Sequence, residues 1–140
     1  MKTPLGQADT LRGKCRRALA SHRQWAARDG KTLDYDLGDL LALAAASPQC
    51  GYCRMPLSFA FNFDHRTPIA RGGRHALDNL AVCCGRCNAI KGQLTEGEYR
   101  GLLRVLECFH PAARADVERR LIAGGARYSG SRRGRGRDGL

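Results

Sequence analysis

Two cysteine pairs constrain this chain more than any other feature of its sequence. Cys50 and Cys53 form one Cys-x-x-Cys pair, and Cys84 and Cys87 form a second pair with the same spacing. Four thiolates match the closed tetrahedral set that structural zinc prefers, so we predict one zinc ion held by all four. Thirty residues separate the two pairs, so the ion would close a loop that contains a whole supersecondary unit.

The other cysteines fit simpler roles. Seven cysteines is an odd number, and two spaced pairs favour metal binding over disulfides in a reducing compartment. Cys83 is a rival ligand, but at the end of an apolar segment it more simply faces the core, whereas Cys84 keeps the two-residue spacing to Cys87. We expect Cys15 and Cys108 to be buried thiols without a ligand role.

Length and charge predict one small basic domain. With 140 residues the chain can bury one modest core, so we predict a single domain over 1–128 and a disordered basic tail over 129–140. The net charge of +11 favours a polyanionic partner, nucleic acid before a membrane or an acidic protein. No segment is typical of a signal peptide or a membrane span, so we expect a cytoplasmic protein.

Hydrophobic periodicity predicts helices on both sides of the cysteine-framed loop, over flanks 8–46 and 95–124. Apolar spacings of three and four residues, a capping box at Thr95 and a helix-starting proline predict four of them. They are Ala8–Arg28, Asp36–Ala46, Glu96–Cys108 and a last helix from Pro111 to about Gly124.

The predicted core, about 48–93, contains two strands and a helix. An aromatic segment, Ser58–Phe63, and an apolar segment, Leu80–Cys83, are typical of strands, and the second cysteine pair opens a helix that runs to about Gly92. The Gly- and Arg-containing stretch Thr67–Asp78 between the strands is predicted to be a loop. The fold class is therefore α+β.

Polar residues suited to hydrolysis lie inside and just beyond that loop. Cleavage of a phosphodiester needs a base for the attacking water and a cation for the charge that develops on the phosphate. His65 suits the base, because a neutral imidazole has a pKa near working pH. Asp64 and Asn88 offer hard oxygen ligands for Mg²⁺ or Mn²⁺. Asn79 can tie the loop backbone to itself and so hold His65 in its orientation.

These residues resemble the HNH endonuclease family, which has the ββα-metal fold. The resemblance covers about Cys50 to Gly92 and rests on several motifs in a fixed order. They are Cys50-Gly51-Tyr52-Cys53, Asp64-His65-Arg66-Thr67-Pro68, Arg71-Gly72-Gly73, Leu77-Asp78-Asn79-Leu80 and Cys84-Gly85-Arg86-Cys87-Asn88-Ala89-Ile90-Lys91-Gly92.

The resemblance implies a two-stranded hairpin and a helix stapled by a four-cysteine zinc site, and a metal-dependent DNA endonuclease of a bacterial cell or a phage-infected host. It places His65 as general base, Asn79 in the middle position that orients it, and Asn88 in the third position, as a metal ligand together with Asp64. Asn88 stands where the family name has histidine. An amide oxygen shifts the preference of the site toward Mg²⁺.

Asp64 and His65 present a geometric difficulty. Adjacent residues of a strand point to opposite faces of a sheet, so they could not both serve one site from within a strand. We therefore expect the strand to end at this point, with Thr67-Pro68 turning the chain into the loop.

Basic residues around the site are candidate phosphate ligands, although a solvated charge is as plausible for any one of them. Lys91 is the first choice, because it follows Asn88 by three residues on the same side of a helix. The tail would add salt-sensitive, largely sequence-independent affinity for DNA. The candidates are Arg66, Arg71, Arg74, Arg86, Lys91, Arg132, Arg133, Arg135 and Arg137. Arg12, Arg16 and Arg23 share one flank of the first helix, where phosphate contact and plain solvation are equally plausible.

Two alternatives to a DNA endonuclease remain open. One is a zinc-containing module that binds nucleic acid without cleaving it. The other is a nuclease that acts on RNA or on structured DNA.

Overall fold

The computed structural model describes the backbone of residues 4–58 and 60–124 and the side chains of residues 10–58 and 60–124. This part of the chain has the predicted mixture of helices with a small antiparallel sheet. Its elements are α1 (Pro4–Arg28), α2 (Leu37–Ala45), β1 (Phe61–His65), β2 (Leu80–Cys84), α3 (Gly85–Lys91), α4 (Glu96–Glu107) and α5 (Pro111–Gly124). The predicted tail, 129–140, lies outside the described residues. No helix in the described part of the chain is long and apolar enough to cross a membrane.

The hairpin of β1 and β2 lies between two apolar clusters. The strands pair antiparallel, from Phe61 opposite Cys84 to His65 opposite Leu80. Ala81 and Cys83 pack into a cluster with residues of α3 and α4, whereas Leu80 packs into a second cluster with residues of α1 and α2. Because both faces are covered, β2 is apolar along its whole length rather than alternating.

The first strand extends further than predicted. β1 includes both Asp64 and His65, which lie opposite Ala81 and Leu80, and it ends at His65; the expectation that the strand ends before it includes both residues is wrong. Pairing with β2 sets the register, and beyond the strand Arg66 N still donates to the carbonyl oxygen of Asn79 (2.7 Å). The side chains of Asp64 and His65 therefore point to opposite faces of the hairpin.

The helix ends are explained by their caps. The capping box between Thr95 and Glu98 is present at the start of α4, as predicted. Beyond the end of α1, Gly30 has a φ of 69°, and Lys31 N bonds to Ala26 O (2.8 Å) in the pattern of a Schellman motif. α1 begins at Pro4 rather than at the predicted Ala8.

The prediction for the two isolated cysteines is half right. Cys15 is fully buried in the cluster beneath α1 and α2. Cys108 is exposed, because it caps the end of α4, where the helix passes from the core to solvent.

The loop between the strands is folded tightly back on itself. It contains two 3₁₀ turns, Ile69–Arg71 and Leu77–Asn79, and Gly73 N donates to Pro68 O (3.0 Å). A Cβ atom added to Gly73 would lie 1.9 Å from Thr67 O. Only glycine fits this close approach of two backbone segments.

We therefore expect Gly73→Ala to lower the free energy of unfolding by more than about 2 kcal/mol, because backbone must move to relieve the clash. Urea denaturation measures the change. Gly97→Ala is the matched control: it lies in α4 with no atom within 4 Å of the added Cβ, and alanine favours a helix by up to about 1 kcal/mol. Equal stability of the Gly73→Ala protein and the wild type would contradict the role given to this contact.

Candidate active site and metal centre

The four paired cysteines converge on one point. The Sγ atoms of Cys50, Cys53, Cys84 and Cys87 all lie within 4.8 Å of one another, and all seven cysteines are free of disulfides. The Sγ atoms of Cys53 and Cys84 are 3.9 Å apart, close to the roughly 3.8 Å edge of a tetrahedron with zinc–sulfur bonds of about 2.3 Å. The cluster could therefore bind a tetrahedral metal ion.

Two tight backbone structures position these sulfurs. Cys50 and Cys53 lie on a turn closed by a bond from Cys50 N to Met55 O (2.8 Å), and Gly51 N ties the turn to β2 through Val82 O (2.9 Å). The second pair lies where β2 passes into α3, with Cys84 as the N-cap of that helix. The cluster thus joins the turn to the corner between β2 and α3.

The electrostatics of the cluster favour a cation. Burial raises the pKa of Cys50, but backbone N–H groups of Cys53, Cys84 and Tyr52 point at its sulfur and bring the pKa down to about 7. Burial and the neighbouring thiolates raise the pKa values of Cys84 and Cys87. Four thiolates can therefore coexist here only with a positive charge among them.

A second candidate site lies at the end of β1. A cavity of about 330 Å³ is lined by both Asp64 and His65, together with residues of α1 and residues that follow α3. The two side chains leave opposite faces of the hairpin, yet both residues line this cavity, which opens where the strand ends. The last two residues of a strand can thus border one cavity without a break in the pairing.

The Asp64 carboxylate is held by one of its oxygens. Oδ2 accepts a hydrogen bond from the Tyr52 hydroxyl (2.6 Å) and pairs with Lys91 Nζ (3.1 Å). Oδ1 has no hydrogen-bond partner among the described residues.

Asn88 lies three residues before Lys91 on α3, so both are on the same side of that helix. The side-chain amide of Asn88 makes no hydrogen bond within the described part of the chain. Carboxylate and amide oxygens fit a cation such as Mg²⁺, but Asn88 is not among the residues that line the cavity with Asp64.

Lys91 lies in the interior rather than on the predicted DNA-facing surface. Its side chain is 0% exposed, and Nζ also donates to the carbonyl oxygen of His65 (3.0 Å). A buried ammonium group requires such partners. Lys91 therefore holds the last two residues of β1 in place and cannot reach a phosphate of bound DNA.

The His65 imidazole packs against α1. Its ring centroid lies 5.2 Å from that of His22 and 5.8 Å from that of Trp25, and within the described residues its buried Nε2 has no hydrogen-bond partner. Burial, and then the charges of His75 and Lys91, lowers the pKa of His65 to about 4. The ring is therefore neutral at pH 7, the form that can accept a proton, but the expectation that its pKa lies near working pH is wrong, because burial penalises the charged imidazolium.

Asn79 organises the loop without touching the His65 ring. Its Oδ1 accepts from Thr67 N (2.9 Å), and its Nδ2 donates to the carbonyl oxygens of Thr67 (3.0 Å) and Arg74 (2.9 Å). These bonds fix the chain two residues beyond His65. Any influence of Asn79 on the imidazole passes through the backbone.

The four predicted loop and α3 arginines are each paired with a carboxylate. Arg66 pairs with Glu96, Arg71 with Glu98, Arg74 with Asp78 and Arg86 with Glu118. Three of these pairs tie the loop or α3 to α4 or α5, which gives those arginines a structural role. Arg132, Arg133, Arg135 and Arg137 lie outside the described residues.

Several side chains around the cavity were not among the predicted site residues. Trp25, Arg28 and Asp29 line it at the end of α1. Asp29 Oδ2 accepts a hydrogen bond from His75 Nε2 (2.6 Å), and His22 Nδ1 is hydrogen-bonded to the Tyr35 hydroxyl (2.9 Å). The sequence does carry one signal: His22 is a polar residue on the apolar stripe of an amphipathic helix. That pattern indicates burial, but it does not identify the partner.

The sequence profile of the HNH endonuclease family matches residues 50–94. The matched segment contains all four cysteines of the cluster as well as Asp64, His65, Asn79 and Asn88. No curated protein and no solved structure matches the chain. Residues 50–94 are therefore an HNH domain of the HNH endonuclease family.

Proposed function

We propose that this protein is a metal-dependent endonuclease that hydrolyses phosphodiester bonds in DNA. The observation that carries the proposal is the cavity at the end of β1, which is lined by both Asp64 and His65 of the HNH domain. A net charge of +11 favours a polyanionic substrate that contacts the protein mostly through phosphates.

In this proposal His65 acts as the general base. Its neutral imidazole takes a proton from the attacking water, while Lys91 holds the His65 carbonyl and Asn79 holds the following loop. Asp64 and Asn88 would hold the catalytic cation. Bound Mg²⁺ or Mn²⁺ would supply positive charge to the phosphate as it reacts.

The four cysteines take a structural role in this proposal. A zinc ion held by Cys50, Cys53, Cys84 and Cys87 would lock the turn, the hairpin and α3 together, and its four thiolates would leave no open position for substrate. A reducing compartment, such as the cytoplasm predicted from the sequence, keeps such thiols available for zinc.

We expect His65→Ala to lower the rate of plasmid cleavage with Mg²⁺ or Mn²⁺ by at least about 100-fold, the usual contribution of a general base. Zinc content and DNA binding should stay at wild-type levels, because the imidazole is not required for either. His110→Ala is a suitable control, since His110 is exposed and remote in sequence from the HNH domain. Cleavage by His65→Ala at the wild-type rate would remove the proposed base.

The same assay separates the alternatives. Supercoiled, linear and single-stranded DNA and RNA are incubated with a series of divalent metals, with EDTA as control. Binding without cleavage of any substrate would indicate the non-catalytic module. Cleavage confined to RNA or to structured DNA would identify the second alternative.

We expect Cys87→Ser to abolish zinc binding and to unfold the domain, because structural zinc sites contribute on the order of 10 kcal/mol to folding at neutral pH. Metal analysis and thermal unfolding of the purified protein measure both effects. Cys108→Ser is the matched control: that thiol is exposed and outside the cluster, so one zinc per chain should remain. A folded, zinc-free Cys87→Ser protein with normal cleavage would contradict the structural role.

Deletion of 129–140 should weaken DNA binding and flatten its dependence on salt, because each lost phosphate contact reduces the slope of log K against log [salt] by about 0.9. Binding isotherms at several salt concentrations measure the slope. The cleavage rate at saturating DNA should not change. An unchanged slope would show that the tail does not contact DNA.

A further inference from the structure

The first helix supplies one wall of the cavity, although it lies outside the segment that matches the HNH family. Trp25 and Arg28 line the same cavity as Asp64 and His65. Trp25 is 39% exposed, so part of its indole is open to solvent and to a ligand at this cavity. Its indole borders the ring of His65, so a molecule that touches Trp25 also lies beside the proposed base.

The flank of α1 that carries these residues follows β1 along its length. At one end, Lys14 Nζ lies 4.5 Å from the centroid of the Phe61 ring, and at the other end Trp25 borders His65. Arg17 lies eleven residues before Arg28, which places the two within about 20° of each other around the helix and about 16 Å apart along it. A basic row thus leads along the strand to the cavity.

The arginines of this flank differ from the loop arginines in lacking a carboxylate partner among the described residues. Arg17 and Arg28 are exposed, and neither pairs with a carboxylate within the described part of the chain. The neighbouring carboxylates are already engaged, Asp29 with His75 and Asp64 with Lys91. The guanidinium group of Arg28 is therefore available to an anion at the cavity.

We propose that Trp25 and Arg28 form a subsite for an unpaired nucleotide next to the scissile phosphate. Trp25 stacks on the base and Arg28 pairs with the phosphate of that nucleotide, while Arg17 contacts a phosphate further along the strand. Stacking on an indole requires a base face that is not covered by neighbours in a duplex, so the subsite favours single-stranded or locally opened DNA. This inference rests on the proposed nuclease function for the identity of its ligand.

The chain offers a direct probe of this subsite. Trp25 is its one tryptophan, so tryptophan fluorescence, excited at a wavelength that tyrosine does not absorb, reports on this position alone. We expect a short single-stranded oligonucleotide to quench the emission saturably in buffer without Mg²⁺ or Mn²⁺, and a blunt duplex of the same sequence to quench it far less. Emission that stays constant while the anisotropy of a labelled single strand shows saturated binding would overturn the subsite.

A matched pair of arginine variants tests the flank. Arg23 is also exposed and unpaired in the described structure, but it lies about 140° around the helix from Arg28 and does not line the cavity. Arg28→Ala should weaken single-strand binding about tenfold and reduce the salt slope by about one, whereas Arg23→Ala should stay within about twofold of wild type. Equal losses in both variants would show general charge attraction instead of a subsite.

Cleavage of mismatch-containing duplexes adds an independent readout. Trp25→Ala should lower kcat/KM at least about fivefold, and Trp25→Phe should restore most of it, because phenylalanine also stacks. Quenching without cleavage by the wild type would support the subsite and contradict the nuclease. Cleavage without quenching would do the reverse, so the two proposals fail separately.

Discussion

The convergence of four cysteine thiols is the constraint on which the rest of this structure depends. Two segments thirty residues apart bring their sulfurs within 4.8 Å of one another, an arrangement that could hold a metal ion and in which four thiolates could coexist only with a cation among them. A domain of this size has little apolar core to spare. Because Cys84 caps α3, the cluster also fixes the helix that carries Asn88 and Lys91.

Lys91 connects this framework to the candidate active site. A fully buried ammonium group is tolerated only when its charge is compensated, and here one amine meets the Asp64 carboxylate and the His65 carbonyl. The spacing argument correctly placed Lys91 on the same side of α3 as Asn88. It could not reveal that β1 covers this side of the helix, and that contact turns an expected phosphate ligand into an internal support.

Adjacent residues at the end of a strand can border one cavity from opposite faces. Asp64 turns toward Tyr52 and Lys91, and His65 turns toward α1, but both border the cavity that opens where β1 ends. The far wall of that cavity comes from α1, outside the matched family segment. The HNH domain therefore provides Asp64 and His65, and the flanking helix shapes the space in front of them.

Local spacing and side-chain chemistry in the sequence were enough to identify the α+β class, the four-cysteine set, most of the helix positions and the HNH family. Each of these depends on residues that lie within a short stretch of chain. Tertiary structure alone decided that β1 runs through His65 and that Lys91 is buried. It also decided that Arg66 pairs with Glu96 and Arg71 with Glu98, and that Trp25 lies beside His65. Each of these outcomes depends on contacts between segments far apart in the chain, and no local pattern reports which distant partner a side chain will meet.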